Sequence, residues 1–172
     1  ATGLTLYRGD AYGAEYSGDA FVADCGSNLI HRKKIVAHGC ELTGVRPADE
    51  ARSEFIACRD TWFRPVQFVN APDGCLWIID MYREIIEHPW SLPPNLKRLL
   101  DLNSGHDRGR LYRIAPENRP VRRQAPDLTR LSEPALAGLL GHPNAWHRDS
   151  ASRLLVERGA SRSAAATRAA LG

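Results

Sequence analysis

Short strand-like runs, each ended by Gly, Asp, Asn or Pro, dominate this sequence from Leu4 to about Pro116. Runs of this length and punctuation are typical of a meander of short antiparallel strands. Helical periodicity is confined to one stretch inside this range and to the residues that follow it. The sequence therefore predicts a β-rich part, with candidate strands at Leu4–Tyr7, Asp19–Ala23, Asn28–Ile35, Pro65–Val69, Cys75–Asp80 and Arg110–Ile114.

One turn and one insertion interrupt the later strands. In Ala71-Pro72-Asp73-Gly74 the proline ring presets one dihedral and the glycine accepts a positive φ, which predicts a hairpin. Between Asp80 and Arg110 the strand pattern breaks, and leucines at 96, 99 and 100 predict a short amphipathic helix over Asn95–Leu102. Long insertions on a rigid β scaffold often carry binding residues, so residues 84–105 are a candidate binding insertion.

The chain changes character after a proline- and arginine-containing stretch that predicts an extended polar linker. Ser132 can cap a helix through Leu140, and Asn144 can cap a second helix that stops at Gly159. A third helix is predicted to begin near Ser161. Two short antiparallel helices of this kind form one unit of an α-solenoid. The predicted organisation is a β-rich part at residues 1–116, a linker at 117–131 and a helical repeat segment at 132–172.

Charge and hydropathy exclude two classes of partner. The net charge of +3 is small, and the basic residues are scattered among nearly as many acidic ones. No basic stripe is present that could neutralise several phosphates, so nucleic acid is not an expected partner. No window approaches the roughly 18 apolar residues that span a bilayer, so no membrane span is expected in this segment.

The four cysteines lie at positions 25, 40, 58 and 75. None forms a CxxC zinc or redox motif or the CxxCH that attaches c-type haem, so no haem is expected in this segment. An even count permits two disulfides in an oxidising compartment, and four isolated thiols are the alternative. We expect thiols, with Cys58 and Cys75 buried in or near strands and no metal bound by any pair.

A set of motifs resembles the large PVC-type haem-binding CxxCH proteins of bacteria, often labelled membrane-bound dehydrogenases. That family joins a β-propeller similar to quinoprotein glucose dehydrogenase, a HEAT-repeat region and a c-type cytochrome domain. The resemblance covers Leu4 to about Gly159. The fold it implies is β plus α, with partial antiparallel propeller blades followed by HEAT-like helices. It is carried by Tyr7-Arg8-Gly9-Asp10, Tyr16-Ser-Gly-Asp-Ala-Phe21, Trp62-Phe63-Arg64-Pro65-Val66, Pro72-Asp73-Gly74, Asp80-Met81-Tyr82-Arg83-Glu84 with Glu87-His88-Pro89, and Asp107-Arg108-Gly109-Arg110-Leu111-Tyr112-Arg113-Ile114.

The resemblance implies a cofactor, a location and a partner domain. In the parent protein it implies pyrroloquinoline quinone and calcium, a periplasmic or otherwise exported location, and a cytochrome domain that accepts electrons. Quinoprotein glucose dehydrogenases contact the cofactor through an Arg-x-Arg that corresponds to Trp62-Phe63-Arg64, so Arg64 is kept and the first arginine is replaced by Trp62. A lysine of those enzymes falls near Gly26.

Candidate site residues surround the end of the strand that stops at Asp80. Glu84 and His88 are candidate catalytic bases, because a carboxylate or an imidazole can remove a hydroxyl proton. The candidate cofactor- or substrate-binding residues have charged or hydroxyl-bearing side chains that an up-and-down meander should return to one edge: Arg64, Asp80, Tyr82, Arg83 and Arg108.

Each of these assignments has a structural alternative. Arg64 could form an ion pair with Asp60 or Asp80 that pins two strands. Arg83 and Glu84 could lock the insertion onto the rim of the sheet. His106 and Asp107 could reach the same mouth or belong to an ordinary turn before the final strand.

Two functions from different classes follow from these alternatives. The first is a segment of an oxidoreductase that acts on a sugar or alcohol and passes electrons to the cytochrome domain of the same parent. The second is a non-catalytic propeller and HEAT module that binds carbohydrate or protein. Because Ala1–Leu4 enters a strand-like run without a start methionine, we expect a segment of a longer protein, inactive as an enzyme by itself.

Overall fold

The computed structural model describes residues 1–118, 120–121, 124–159 and 168–169. The described residues form antiparallel β-sheets and a few short helices, which confirms the predicted combination of strands before Pro116 and helices after Leu131. Two compact units are present: residues 1–7, 18–69 and 77–114 form the first, and residues 8–17, 70–76 and 115–172 form the second. The predicted third helix near Ser161 lies mostly outside the described residues.

The larger sheet has the order β1-β2-β3-β4, with β5 also paired to β3. Its register aligns Leu4 with Val22, Ala20 with Lys33, and Lys34 with Val45. Aromatic residues fill the adjoining core, where the ring centroids of Phe21 and Phe55 lie 4.8 Å apart. The strands are β1 (Leu4–Leu6), β2 (Ala20–Asp24), β3 (Leu29–His38), β4 (Glu41–Val45) and β5 (Ile56–Ala57).

The smaller sheet has the order β6-β7-β8. Its strands are β6 (Pro65–Asn70), β7 (Leu76–Asp80) and β8 (Arg110–Ile114), close to the predicted bounds. The predicted proline-glycine turn joins β6 to β7, with the Ala71 N–H donating to the Cys75 carbonyl and Gly74 at φ 80°. The 29 residues between β7 and β8 contain a 3₁₀ turn at Pro89–Ser91 and α1 (Pro94–Lys97).

The helix predicted over Asn95–Leu102 is wrong in length, since α1 ends at Lys97. Short helices in water depend on burying an apolar face. Here Leu99 remains 81% exposed and Leu96 43% exposed, so the leucine stripe has little to pack against. The helix therefore stops after one turn.

The helical pair of the second unit follows the predicted caps. The Ser132 hydroxyl accepts from the Ala135 N–H and begins α2 (Glu133–Gly138), which a 3₁₀ turn at Leu139–Gly141 extends. The Asn144 side chain accepts from the Trp146 N–H and begins α3 (Ala145–Glu157). The predicted stop is confirmed by Gly159, at φ 105°. The pair buries an apolar core of Leu128, Leu136, Ala137, Ala151, Leu154 and Leu155.

The cysteine prediction is confirmed in part. All four cysteines are free thiols, and Cys75 is fully buried beside β7. The predicted burial of Cys58 is wrong, because its side chain is exposed. Cys58 follows the two-residue strand β5 at the edge of the sheet, where its main-chain N–H donates to the Asn28 carbonyl and no element within the described part of the chain covers the thiol.

A buried ionic network lies behind the larger sheet. The guanidinium of Arg32 contacts Glu50 at 2.9 Å and Asp49 at 3.0 Å, and lies 3.7 Å from Asp19. Burial raises the pKa of both Asp19 and Glu50, although Arg32 acts to lower it. Each carboxyl therefore favours its protonated form in the folded state more than in the unfolded state.

This network predicts a pH effect of definite sign. The stabilising contribution of protonated Glu50 is fully present below its unfolded-state pKa and is lost as pH rises through the raised folded-state value. Glu50→Gln should therefore remove a fall in stability with rising pH between the unfolded-state and folded-state pKa of Glu50, and so make the net slope more positive there, by at most about 1.4 kcal/mol per pH unit. Urea unfolding of both proteins from acidic to neutral pH measures this. Glu41→Gln, at an exposed glutamate of β4, is the control, and an unaltered slope in Glu50→Gln would contradict the prediction.

Candidate ligand-binding site

Arg64 connects three loops at the entrance to β6. Its Nε donates to the Arg83 carbonyl at 2.9 Å, its Nη1 to the Cys25 carbonyl at 2.7 Å and its Nη2 to the Glu84 carbonyl at 2.9 Å. Its main-chain N–H donates to Asp80 Oδ1 at 2.8 Å. The guanidinium thus binds main-chain carbonyls, and this arrangement differs from the ion pair with Asp60 or Asp80 considered as the alternative.

Asp80, at the end of β7, is 1% exposed. Its Oδ1 accepts from the N–H groups of Arg64 and Tyr82, both at 2.8 Å. Its Oδ2 has no hydrogen-bond partner among the described residues. The carboxylate therefore fixes the chain where it leaves the strand, and Tyr82 there adopts a φ of 50°, which is uncommon for a residue other than glycine.

Tyr82 lies at the centre of a small aromatic cluster. Its hydroxyl donates to Asp60 Oδ2 at 2.9 Å, and its ring meets the Trp62 ring edge-on at a centroid distance of 5.7 Å. The guanidinium carbon of Arg110 lies 3.6 Å from the Tyr82 ring centroid, a cation–π contact. Hydrogen bonds from the Trp62 N–H and the Tyr82 hydroxyl lower the pKa of Asp60.

Arg83 holds the turn that precedes β8. Its guanidinium donates to the carbonyls of Gly105 and His106. Gly105 has φ 83°, and a Cβ at this position would lie 2.4 Å from the Tyr82 carbonyl oxygen, so only glycine fits. The turn of residues 101–108 is consequently fixed against the end of β7.

A shallow cavity of about 270 Å³ lies between this turn and Trp62. Within it, the Asn103 N–H donates to Asp101 Oδ1 at 3.0 Å, and His106 Nδ1 lies 3.0 Å from the Asn103 carbonyl. Because a carbonyl only accepts, Nδ1 carries the proton and Nε2 of neutral His106 is an acceptor. The lining residues are Trp62, Asp101, Asn103, Ser104, Gly105, His106, Asp107 and Arg108.

The structure brings together most of the residues that the sequence singled out. Arg64, Asp80, Tyr82, Arg83 and the Glu84 carbonyl are linked by the hydrogen bonds given above. Arg108 lines the cavity, where its exposed side chain lies 3.9 Å from Asp107. His88 is exposed within the insertion, and its Nδ1 accepts from the Trp90 N–H at 3.2 Å.

The residues that the resemblance assigns to a quinone are available for one only in part. A ligand with several carboxylates needs cationic groups with free donors, and Arg64 already uses three of its five N–H groups on main-chain carbonyls. At the position where related enzymes have a lysine, the Gly26 N–H donates to Asp24. Among the described residues, no group of three or more His, Cys, Asp or Glu side chains is placed to hold a metal ion.

Comparison with known proteins places the chain in a family. The family described as Domain of unknown function (DUF7133) matches residues 1–118, more than half of the chain. The chain belongs to this family. The DUF7133 match ends close to Pro116, where the strand-rich part was predicted to end. Neither a curated protein nor a solved structure matches the chain significantly. Within the described residues, no helix has the length and apolar character needed to cross a membrane.

Sequence reasoning missed part of the cavity lining. It treated Trp62 only as the replacement of an arginine and gave no role to Asp101 and Asn103. Their spacing carried a usable signal, because an aspartate two residues before another polar residue often forms an Asx turn. What the spacing could not show is that this turn faces Trp62.

Proposed function

We propose that this chain is a β-propeller segment of an oxidoreductase that acts on a sugar or related alcohol, and that the segment binds the hydroxylated substrate at the Trp62 cavity. The electrons would pass to a cytochrome domain of the same parent, in the periplasm or otherwise outside the cytoplasm. We assign most contacts to any pyrroloquinoline quinone and calcium to other parts of the parent, because this chain has Gly26 and Trp62 where related enzymes have basic residues.

The arrangement of the two sheets supports the propeller. Strands β1 to β4 and strands β6 to β8 form meanders in which sequential strands are neighbours, as in propeller blades, while β5 pairs with β3. The residues that lead into β1 approach β6 closely: the Thr2 hydroxyl donates to the Pro65 carbonyl at 2.8 Å, and a Cβ on Gly3 would lie 2.5 Å from the Val66 carbonyl oxygen. Neighbouring blades pack in this way around a propeller axis. The capped helices α2 and α3 support a HEAT-like unit, because a pair of short helices forms one unit of an α-solenoid.

The observation that carries the proposed binding role is the composition of the Trp62 cavity. A half-buried tryptophan offers an apolar face to the C–H side of a sugar ring, while carboxylate, amide, imidazole and guanidinium groups bond its hydroxyls. Asp101, Asn103, His106, Asp107 and Arg108 provide these groups on the turn that Arg83 holds. A neutral molecule with several hydroxyls matches both features.

If the Trp62 cavity binds sugars, the affinity should depend on the indole ring of Trp62. Hexoses, pentoses and sugar alcohols titrated into the 172-residue protein should change its tryptophan fluorescence, and Trp62→Ala should weaken binding about tenfold, or about 1.4 kcal/mol. Calorimetry provides a readout that does not depend on the removed fluorophore. Trp90→Ala is the matched control, because Trp90 is 88% exposed and lies outside the cavity. Equal binding by Trp62→Ala and the unaltered protein would contradict the proposal.

A non-catalytic binding module is the second candidate, and one observation favours it. Arg64 and Arg83, two of the arginines that the resemblance assigns to the site, donate to main-chain carbonyls. The parent protein decides between the two, once supplied with pyrroloquinoline quinone and calcium. Sugar-dependent reduction of a dye supports the oxidoreductase, whereas sugar binding without dye reduction supports the module.

A further inference from the structure

The strands β3 and β4 extend from the larger sheet as a two-stranded arm, residues 34–45. Strand β2 pairs with the part of β3 from Leu29 to Lys33, and β5 pairs with β3 only at Leu29 and Ile30. From Lys34 to Val45 the two strands pair with each other, through a turn at Gly39 and Cys40. β4 is the last strand in the sheet order, and all five of its residues are exposed.

This arm exposes apolar side chains that a free ribbon would normally lack. Isolated two-stranded hairpins are marginally stable in water, and a third strand is the usual remedy. On the arm, Leu42 is 73% exposed, Val45 46%, Val36 38% and Ile35 37%. Natural edge strands are blunted by lysine, proline or inward-pointing charges. β4, which reads Glu-Leu-Thr-Gly-Val, has one charged residue and no proline.

The hydrogen-bonding pattern of the arm fixes which groups face outward. A two-residue turn makes His38 and Glu41 a hydrogen-bonded pair, and such pairs alternate along an antiparallel ladder. Glu41, Thr43 and Val45 therefore direct their N–H and C=O groups towards β3. Leu42 and Gly44 direct theirs away from β3 and are available to another strand.

We propose that a second copy of this chain pairs antiparallel with β4, about a two-fold axis that passes between the two Thr43 residues. In this register Leu42 of each copy forms a hydrogen-bonded pair with Gly44 of the other, which gives four main-chain hydrogen bonds. The two Thr43 residues form the close, non-hydrogen-bonded pair at the centre.

The side chains of β4 are self-complementary in this register. Thr43 faces Thr43, a favourable cross-strand pair. Leu42, the most exposed apolar side chain of the arm, faces Gly44, which has no side chain to obstruct it. Glu41 faces Val45, so the single charge on each strand is kept away from its own copy. Like charges directly opposite would destabilise such a pair, and none occur.

The register is tested by a site-specific disulfide. Cα atoms of a non-hydrogen-bonded pair lie about 4.5 Å apart, within the range that a disulfide bridges. In a Cys40→Ser, Cys58→Ser background of the full 172-residue chain, Thr43→Cys should form a covalent dimer under mild oxidation at least tenfold faster than Leu42→Cys. Leu42→Cys is the control for random collision, since its thiols would be offset along the strands. Equal rates would overturn the proposal.

A second measurement needs no cysteine. The unaltered chain should show self-association by sedimentation equilibrium, and Thr43→Lys should reduce it about tenfold because two lysines would then oppose each other. Thr5→Lys, on the other terminal strand of the same sheet, should leave it unchanged. Far-UV circular dichroism confirms that each variant folds. A chain that sediments as a monomer at its highest soluble concentration would also overturn the proposal.

Discussion

Replacing Arg32 with alanine is expected to lower the free energy of unfolding by about 3–5 kcal/mol, because it removes the central cation of a buried ionic network. Arg32 is 2% exposed, while Asp19 and Glu50 are 4% and 8% exposed. Without the guanidinium, both carboxylates would remain buried with no cation of comparable burial beside them. Urea unfolding at neutral pH measures the loss.

Two further variants separate charge from packing in this network. Arg52→Ala removes an exposed arginine nearby and should change the unfolding free energy by less than about 0.5 kcal/mol. The triple variant Arg32→Met, Asp19→Asn, Glu50→Gln should recover much of the stability lost in Arg32→Ala, since it leaves no buried charge uncompensated. A loss of less than about 1 kcal/mol in Arg32→Ala would show that water reaches the carboxylates and would contradict this account.

Asn144→Asp is expected to cost about 3 kcal/mol, although aspartate is as good a helix cap as asparagine. Asn144 is fully buried, and its Nδ2 donates to the carbonyls of Ala71 at 2.9 Å and Pro72 at 3.2 Å. Its Oδ1 separately caps α3 through the Trp146 N–H. The aspartate would keep the cap and place a carboxylate oxygen against two carbonyl oxygens.

The comparison for Asn144→Asp is Ser132→Ala, which removes only the cap of α2 and should cost about 1 kcal/mol. Chemical unfolding of both variants gives the difference. Lowering the pH below about 4 should reduce the difference in unfolding free energy between the two variants, because a protonated aspartate regains a donor. If Asn144→Asp proves no more destabilising than Ser132→Ala, the two amide hydrogen bonds contribute little.

Local signals in the sequence predicted much of the fold. Turn chemistry at Pro72 and Gly74, caps at Ser132 and Asn144, and the stop at Gly159 all act within a few residues, so short-range reasoning was sufficient. Strand β4 was missed because its Gly44 and its fully exposed side chains give no apolar alternation. Its position depends on the positive φ of Gly39, which returns the chain alongside β3.

The candidate site was less predictable, because its contacts are long-range. The sequence predicted that Arg64, Asp80 and Arg83 lie close together, because a meander returns them to one edge of the sheet. It could not predict which groups the Arg64 guanidinium binds, since its carbonyl partners belong to loops 19 to 39 residues away in the chain. Trp62 likewise faces residues 101–108 only because Arg83 holds that turn.

The proposed sugar-binding role is tested most directly by amide and indole chemical-shift mapping of the 172-residue protein during titration with a sugar alcohol. We predict that the concentration-dependent shifts concentrate on the Trp62 indole and on the amides of residues 101–108, and that Trp62→Ala moves the midpoint of the amide shifts to an about tenfold higher sugar concentration. Shifts that map elsewhere, or shifts around residues 101–108 that persist unaltered in Trp62→Ala, would contradict the account.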